Sequence, residues 1–162
     1  MTTPISTADL IDGRALLPLT LFNRMVARIG ADHPELPDGM PARIMDQALA
    51  FLGTCATATE PIGPSDAVDI GWHTFILYTR EYAEFCSTVA GRFIHHVPDD
   101  EPGTEWPVVP QQSHPKITLA TTVAAMKMAG YRIDAELWPT QATADCTKCH
   151  QCHAGCHDSP TR

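Results

Sequence analysis

Apolar residues recur along this chain at helical spacing, in blocks separated by proline- and glycine-rich breaks. Leu19, Phe22, Val26 and Ile29 form the first stripe and predict a helix over 16–30. Thr20 can cap that segment and Gly30 can stop it. The run His33-Pro34-Glu35-Leu36-Pro37-Asp38-Gly39 predicts a turn-rich connector. A second helix is expected to open at Pro41, because proline suits the first helical turn. Ile44, Ala48, Phe51, Leu52 and Cys55 continue it as a core-facing stripe, and Glu60-Pro61-Ile62-Gly63-Pro64 closes it.

The third segment carries the clearest pattern. Ser65 is a cap, and Asp66 and Asp69 suit the positive end of the helix dipole. Trp72, Phe75, Ile76, Tyr82, Phe85 and Val89 follow, up to Gly91. Gly71 interrupts them, which predicts a kink or two shorter helices. From Arg92 to Pro115 the periodicity dissolves among five prolines, as in an irregular surface loop. A fourth helix is expected from about Pro115, capped by Ser113, to Gly130, with a strand as the lesser alternative because Ile117, Thr121 and Thr122 are β-branched. Tyr131 to Trp138 reads as a short helix or packed extension. The expected fold is therefore all-α: a compact bundle of four to five helices, a long Pro-rich loop and an irregular Cys/His-rich C-terminal tail. The expected division is a helical domain over 1–139 and a tail over 140–162.

Length changes this picture little: 162 residues suit one domain plus a tail. The formal net charge of −8 argues against nucleic acid and anionic membranes as partners. Met1 to Asp12 lacks the basic start and apolar run of an export signal, so the expected compartment is the cytoplasm. In a reducing compartment, clustered cysteines point to metal or redox chemistry, not to a disulfide framework. Cys55 and Cys86 stand singly within apolar patterns and read as small buried hydrophobes.

The tail carries the densest chemistry. Cys146, Cys149, His150, Cys152, His153, Cys156 and His157 crowd into twelve residues. Thiolate and imidazole are ligands for zinc or copper. In a helix, Cys149, Cys152, His153 and Cys156 share one face; in an extended chain, Cys146 and Cys149 still form a knuckle. The first functional expectation is thus a transition-metal-binding protein, holding zinc or copper in this tail. Cys146-Thr147-Lys148-Cys149-His150 also fits the c-type haem attachment pattern, but that attachment follows export, so haem is disfavoured.

A second candidate site lies upstream. Asp69 and His73 are four residues apart and share a helix face. His95 and His96 follow that segment, and in an extended chain they point to opposite sides. Asp69, His73 and one of His95 or His96 would form a two-histidine, one-carboxylate metal set. The alternative function is therefore a metal-dependent enzyme, of an oxidative tailoring kind, acting on a small molecule or peptide. An ordinary half-buried, hydrogen-bonded histidine is the competing account of His73. A protein-interaction module is the second alternative.

Val68-Asp69-Ile70-Gly71-Trp72-His73-Thr74-Phe75-Ile76-Leu77-Tyr78-Thr79-Arg80-Glu81-Tyr82-Ala83-Glu84-Phe85-Cys86, followed by Gly91-Arg92-Phe93-Ile94-His95-His96-Val97-Pro98, resembles the glycine-rich-domain-containing-protein-like family. The resemblance implies a helical domain and no established reaction. The family's characteristic residues fall here on Asp69, Trp72, His73, Tyr82, Phe85, Cys86, Phe93, His95 and His96. The Cys/His-rich tail departs from the glycine-rich type. If the tail is the metal site, metal analysis finds about one ion per chain, and truncation at Gln141 abolishes it.

Overall fold

The helix spanning Met40–Cys55 has almost no solvent face. Ile44, Met45, Ala48, Leu49, Ala50, Phe51, Leu52 and Cys55 are all buried, and so is Gln47. The sequence predicts a single core-facing stripe, but a helix buried all round is the centre of a bundle. The computed structural model describes residues 10–96 and 118–140. In chain order the elements are a 3-10 turn (Gly13–Leu16), α1 (Leu19–Asp32), α2 (Met40–Cys55), α3 (Asp66–Ile76), α4 (Thr79–Phe85), a π turn (Cys86–Ala90) and α5 (Leu119–Met128). The architecture is all-α, with five helices among the described residues. α1, α3, α5 and the 3-10 turn all pack on α2. Each large apolar side chain so enclosed contributes about 1.5–3 kcal/mol.

Several expected boundaries shift. α1 runs through Gly30 to Asp32 and is preceded by Pro18, with no side-chain cap at Thr20. Local glycine propensity yields there to packing, because Gly30 lies beside the Pro41 ring. Ser65 caps α3 as expected, its Oγ accepting from the Val68 N–H at 3.3 Å. The long third segment does split, but at Leu77–Tyr78 and not at Gly71. Gly71 sits inside α3, where a Cβ would come within 2.7 Å of the Ala48 Cβ and 3.1 Å of the Ile44 carbonyl. It is glycine so that α3 can lie close on α2. Gly91 then ends the π turn in the left-handed region at φ 66°.

α5 starts at Leu119, where Thr118 Oγ1 accepts from the Thr121 N–H at 3.1 Å. The segment is helical, which removes the strand alternative. The proposed cap Ser113, the start at Pro115 and the prolines of the loop from Pro98 onward lie outside the described residues, as does the whole tail from Gln141.

The segment after α5 is a packed extension held by one buried amide. Gln47 Oε1 accepts from Asp134 N at 3.1 Å and from Trp138 Nε1 at 2.9 Å, while its Nε2 donates to the Arg132 carbonyl at 3.0 Å. Outside this hub, Arg43 forks onto Asp134 at 2.6 and 2.8 Å and holds its carboxyl below the usual carboxylate range. Ser65 Oγ donates to the Leu137 carbonyl at 2.6 Å. Trp138 is thereby pressed against Phe51, with ring centroids 6.4 Å apart.

Gly71→Ala forces α3 away from α2. It is expected to lower stability by about 1–3 kcal/mol, read as a reduced urea midpoint with an unchanged slope. An unaffected midpoint would show that the contact is loose.

Candidate metal centre

Three side chains converge beside the α3 helix. Asp69 and His73 come from successive turns of α3, as their spacing requires. His96 comes from the extended segment that leaves the π turn. Asp69 Oδ1 lies 2.9 Å from His96 Nε2, and Oδ2 lies 3.1 Å from His73 Nδ1. His73 Nδ1 also lies 3.0 Å from the Asp69 carbonyl. The two imidazole rings are 4.2 Å apart, centroid to centroid. One potential ligand atom from each residue fits within a mutual distance of 4.8 Å. Tetrahedral ligands at zinc bond lengths near 2.0–2.2 Å stand about 3.4 Å apart, so small side-chain rotations bring this set onto one ion.

Burial grades across the site. The His96 side chain is 9% accessible and Asp69 17%, whereas His73 is 56% accessible. The site thus has a sheltered floor and an open side at His73.

His96 is held from beneath by a relay of buried polar groups. Trp72 Nε1 donates to the Tyr82 hydroxyl at 2.8 Å, and that hydroxyl donates to the Ile94 carbonyl at 2.6 Å. All three residues are buried. Burial pushes the Tyr82 phenol well above its usual range, so it remains a neutral donor. The Trp72 ring also meets the His96 ring edge-on at 4.5 Å. Sequence reasoning assigns Trp72 and Tyr82 to packing alone and misses this relay. The available signal is that both carry a polar handle that needs a partner once buried.

His95 does not join the site. It is exposed and stacks near Phe93, with centroids 4.7 Å apart. In an extended segment residues alternate sides. Ile94 is buried, so His96, two residues on, shares its inward side, while Phe93 and His95 face out. Including His95 among the candidate catalytic residues is therefore corrected: the converging set is Asp69, His73 and His96.

Cys55 and Cys86 are buried and not disulfide-bonded. Burial pushes the Cys86 thiol up, against the pull of a hydrogen bond from the Ile94 backbone. A thiol so placed is a poor nucleophile. The tail ligands Cys146, Cys149, His150, Cys152, His153, Cys156 and His157 lie outside the described residues. A cavity of about 590 Å³ opens elsewhere, between the start of α2 and the extension after α5. Its polar groups already have partners: Arg43 pairs with Asp134, Arg132 with Asp12, and Asp46 accepts from the Arg14 backbone N–H. It contains no member of the Asp69 cluster.

Tyr82→Phe leaves the Trp72 N–H and the Ile94 carbonyl buried without partners, at about 1–3 kcal/mol for each. Lower thermal stability and faster amide exchange around Ile94 are expected. Unchanged exchange there would show that the relay does not position His96.

No helix among the described residues is long and apolar enough to cross a membrane. A family model described as UCP032817-like matches residues 13–105, more than half of the chain. The chain belongs to the UCP032817-like family. The resemblance to the glycine-rich-domain-containing-protein-like family is corrected by this match, since the Trp-His and Phe-Ile-His-His stretches that carried it lie within residues 13–105. The match includes Asp69, His73 and His96 and stops before the tail. No curated protein and no solved structure matches the chain.

Proposed function

We propose that this member of the UCP032817-like family binds a divalent transition metal through Asp69, His73 and His96. The observation that carries the proposal is the convergence of one ligand atom from each residue within 4.8 Å. These atoms come from two chain segments, 27 residues apart at Asp69 and His96. Two imidazoles and a carboxylate suit zinc and iron(II), and three protein ligands leave coordination positions open. Open positions are what activation of water or dioxygen needs, so the site supports a metal-dependent reaction better than a purely structural metal. The accessibility of His73 puts the open side within reach of a small molecule or an exposed peptide.

The groups around the ligands fit this role. Asp69 Oδ1 and Oδ2 face His96 Nε2 at 2.9 Å and His73 Nδ1 at 3.1 Å, along the lines on which an ion would draw them together. The Tyr82 relay fixes the backbone two residues before His96, so little ordering entropy remains to be lost when an ion binds.

Equilibrium dialysis against zinc tests the proposal, using the full chain with all four tail cysteines changed to serine. One equivalent is expected to bind. Asp69→Ala and His96→Ala are each expected to weaken binding by at least the roughly 10–100-fold that lost supporting contacts cost in metal sites. His95→Ala is expected to leave it unchanged. Affinity unchanged from the parent in the Asp69→Ala and His96→Ala variants would overturn the assignment.

A further inference from the structure

Three protein ligands leave one position open in a tetrahedral zinc shell. With Asp69 as the only anionic ligand among them, a divalent ion keeps one positive charge. That charge lies close to the buried Trp72 ring, which meets His96 edge-on at 4.5 Å. Uncompensated charge beside buried apolar groups is unfavourable. A monoanionic oxygen donor in the open position makes the centre neutral.

The helix that supplies Asp69 and His73 also shapes the surroundings of that position. Asp66, Ile70, His73 and Leu77 follow one another at three- and four-residue spacing and form one outward stripe along α3. Leu77 ends the helix with helical backbone angles, φ −62° and ψ −24°, so its Cβ stays in register with His73. Residues four apart on a helix stand about 5–6 Å from each other at Cβ. Helical side chains lean over the preceding turn, so Leu77 leans back toward His73. Leu77 is 63% exposed, the only large apolar side chain of residues 66–77 left so open. At the other end, Asp66 is exposed one turn before Asp69. The stripe thus runs from a carboxylate, across the two helix-borne ligands, to an apolar side chain in water. Asp66 repels a second anionic group at its end, and Leu77 offers such a group no partner. An alkyl arm gains by covering Leu77.

We infer that the open position takes a small aliphatic monocarboxylate, with one carboxylate oxygen on the ion and the alkyl arm against Leu77. The inference rests on the proposed metal site and adds Leu77 to it as the residue that selects the ligand. On binding, an oxygen–metal bond forms and a metal-bound water leaves, with no change of oxidation state. The arm has to cover about one helical turn, roughly 5.4 Å, which an alkyl chain of about four or five carbons spans.

Cobalt(II) bound to the full chain with all four tail cysteines changed to serine tests this, because its visible absorption responds to a new ligand. Acetate, butyrate, hexanoate and adipate are titrated in turn. A fully buried methylene is worth about fourfold in affinity, so hexanoate is expected to half-saturate at a concentration at least about tenfold below acetate, with butyrate between them. Adipate matches hexanoate in length but ends in a second carboxylate, and it is expected to gain nothing over acetate. Leu77→Ser should bring hexanoate to the acetate value. Leu19→Ser, at a similarly exposed leucine of α1, should keep the hexanoate advantage. Equal half-saturation by acetate and hexanoate, or adipate as tight as hexanoate, overturns the inference. So does a hexanoate advantage that survives Leu77→Ser or vanishes in Leu19→Ser. Bound cobalt whose spectrum ignores all four acids also overturns it, and in that case the core site would stand. Absence of bound cobalt would instead remove the core site, and this inference with it.

Discussion

Burial of α2 on nearly every side is the constraint from which the rest of the arrangement follows. A helix enclosed all round needs neighbours on each face, and α1, α3, α5 and the 3-10 turn supply them. Close approach of α3 requires Gly71, whose missing side chain leaves room for Ala48 and the Ile44 carbonyl. The one strongly polar residue on the buried surface of α2, Gln47, is satisfied by the segment 132–138. A buried amide without those partners would be costly, so the same group that threatens the core also ties the end of the described chain to it.

The candidate metal centre is a by-product of that packing at one edge. α3 lies with Trp72 inward against Phe51 and with Asp69 and His73 toward its rim. Trp72 brings a buried N–H that must be answered. Tyr82 answers it and passes the bond on to Ile94, which draws the segment carrying His96 across α3. A polar requirement deep in the core thus sets the position of a ligand at the surface. The family match spans all of these residues, so the family's shared region contains the whole candidate site.

Much of this architecture was legible in the chain. The stripes of α1 and α2, the Ser65 cap and the Asp69/His73 spacing follow from local periodicity, which depends on residues a few positions apart. What escaped depends on contacts distant in sequence. Gly71 reads as a breaker until Ala48 is known to lie opposite it. Gly30 reads as a stop until Pro41 is seen beside it. The relay from Trp72 to Ile94 joins residues 10 and 12 positions apart across a helix break, and Gln47 meets partners 85 to 91 positions away. The choice between His95 and His96 was within reach, because alternation places His96 on the side of the apolar Ile94.

The central claim is that Asp69, His73 and His96 share one ion. Anomalous scattering at the zinc edge, from crystals of the zinc-loaded full-length protein, tests it most directly. The account predicts one peak about 2.0–2.2 Å from an Asp69 oxygen and from a ring nitrogen of each histidine. A map without a peak there, with Asp69 still hydrogen-bonded to both imidazoles, would contradict it.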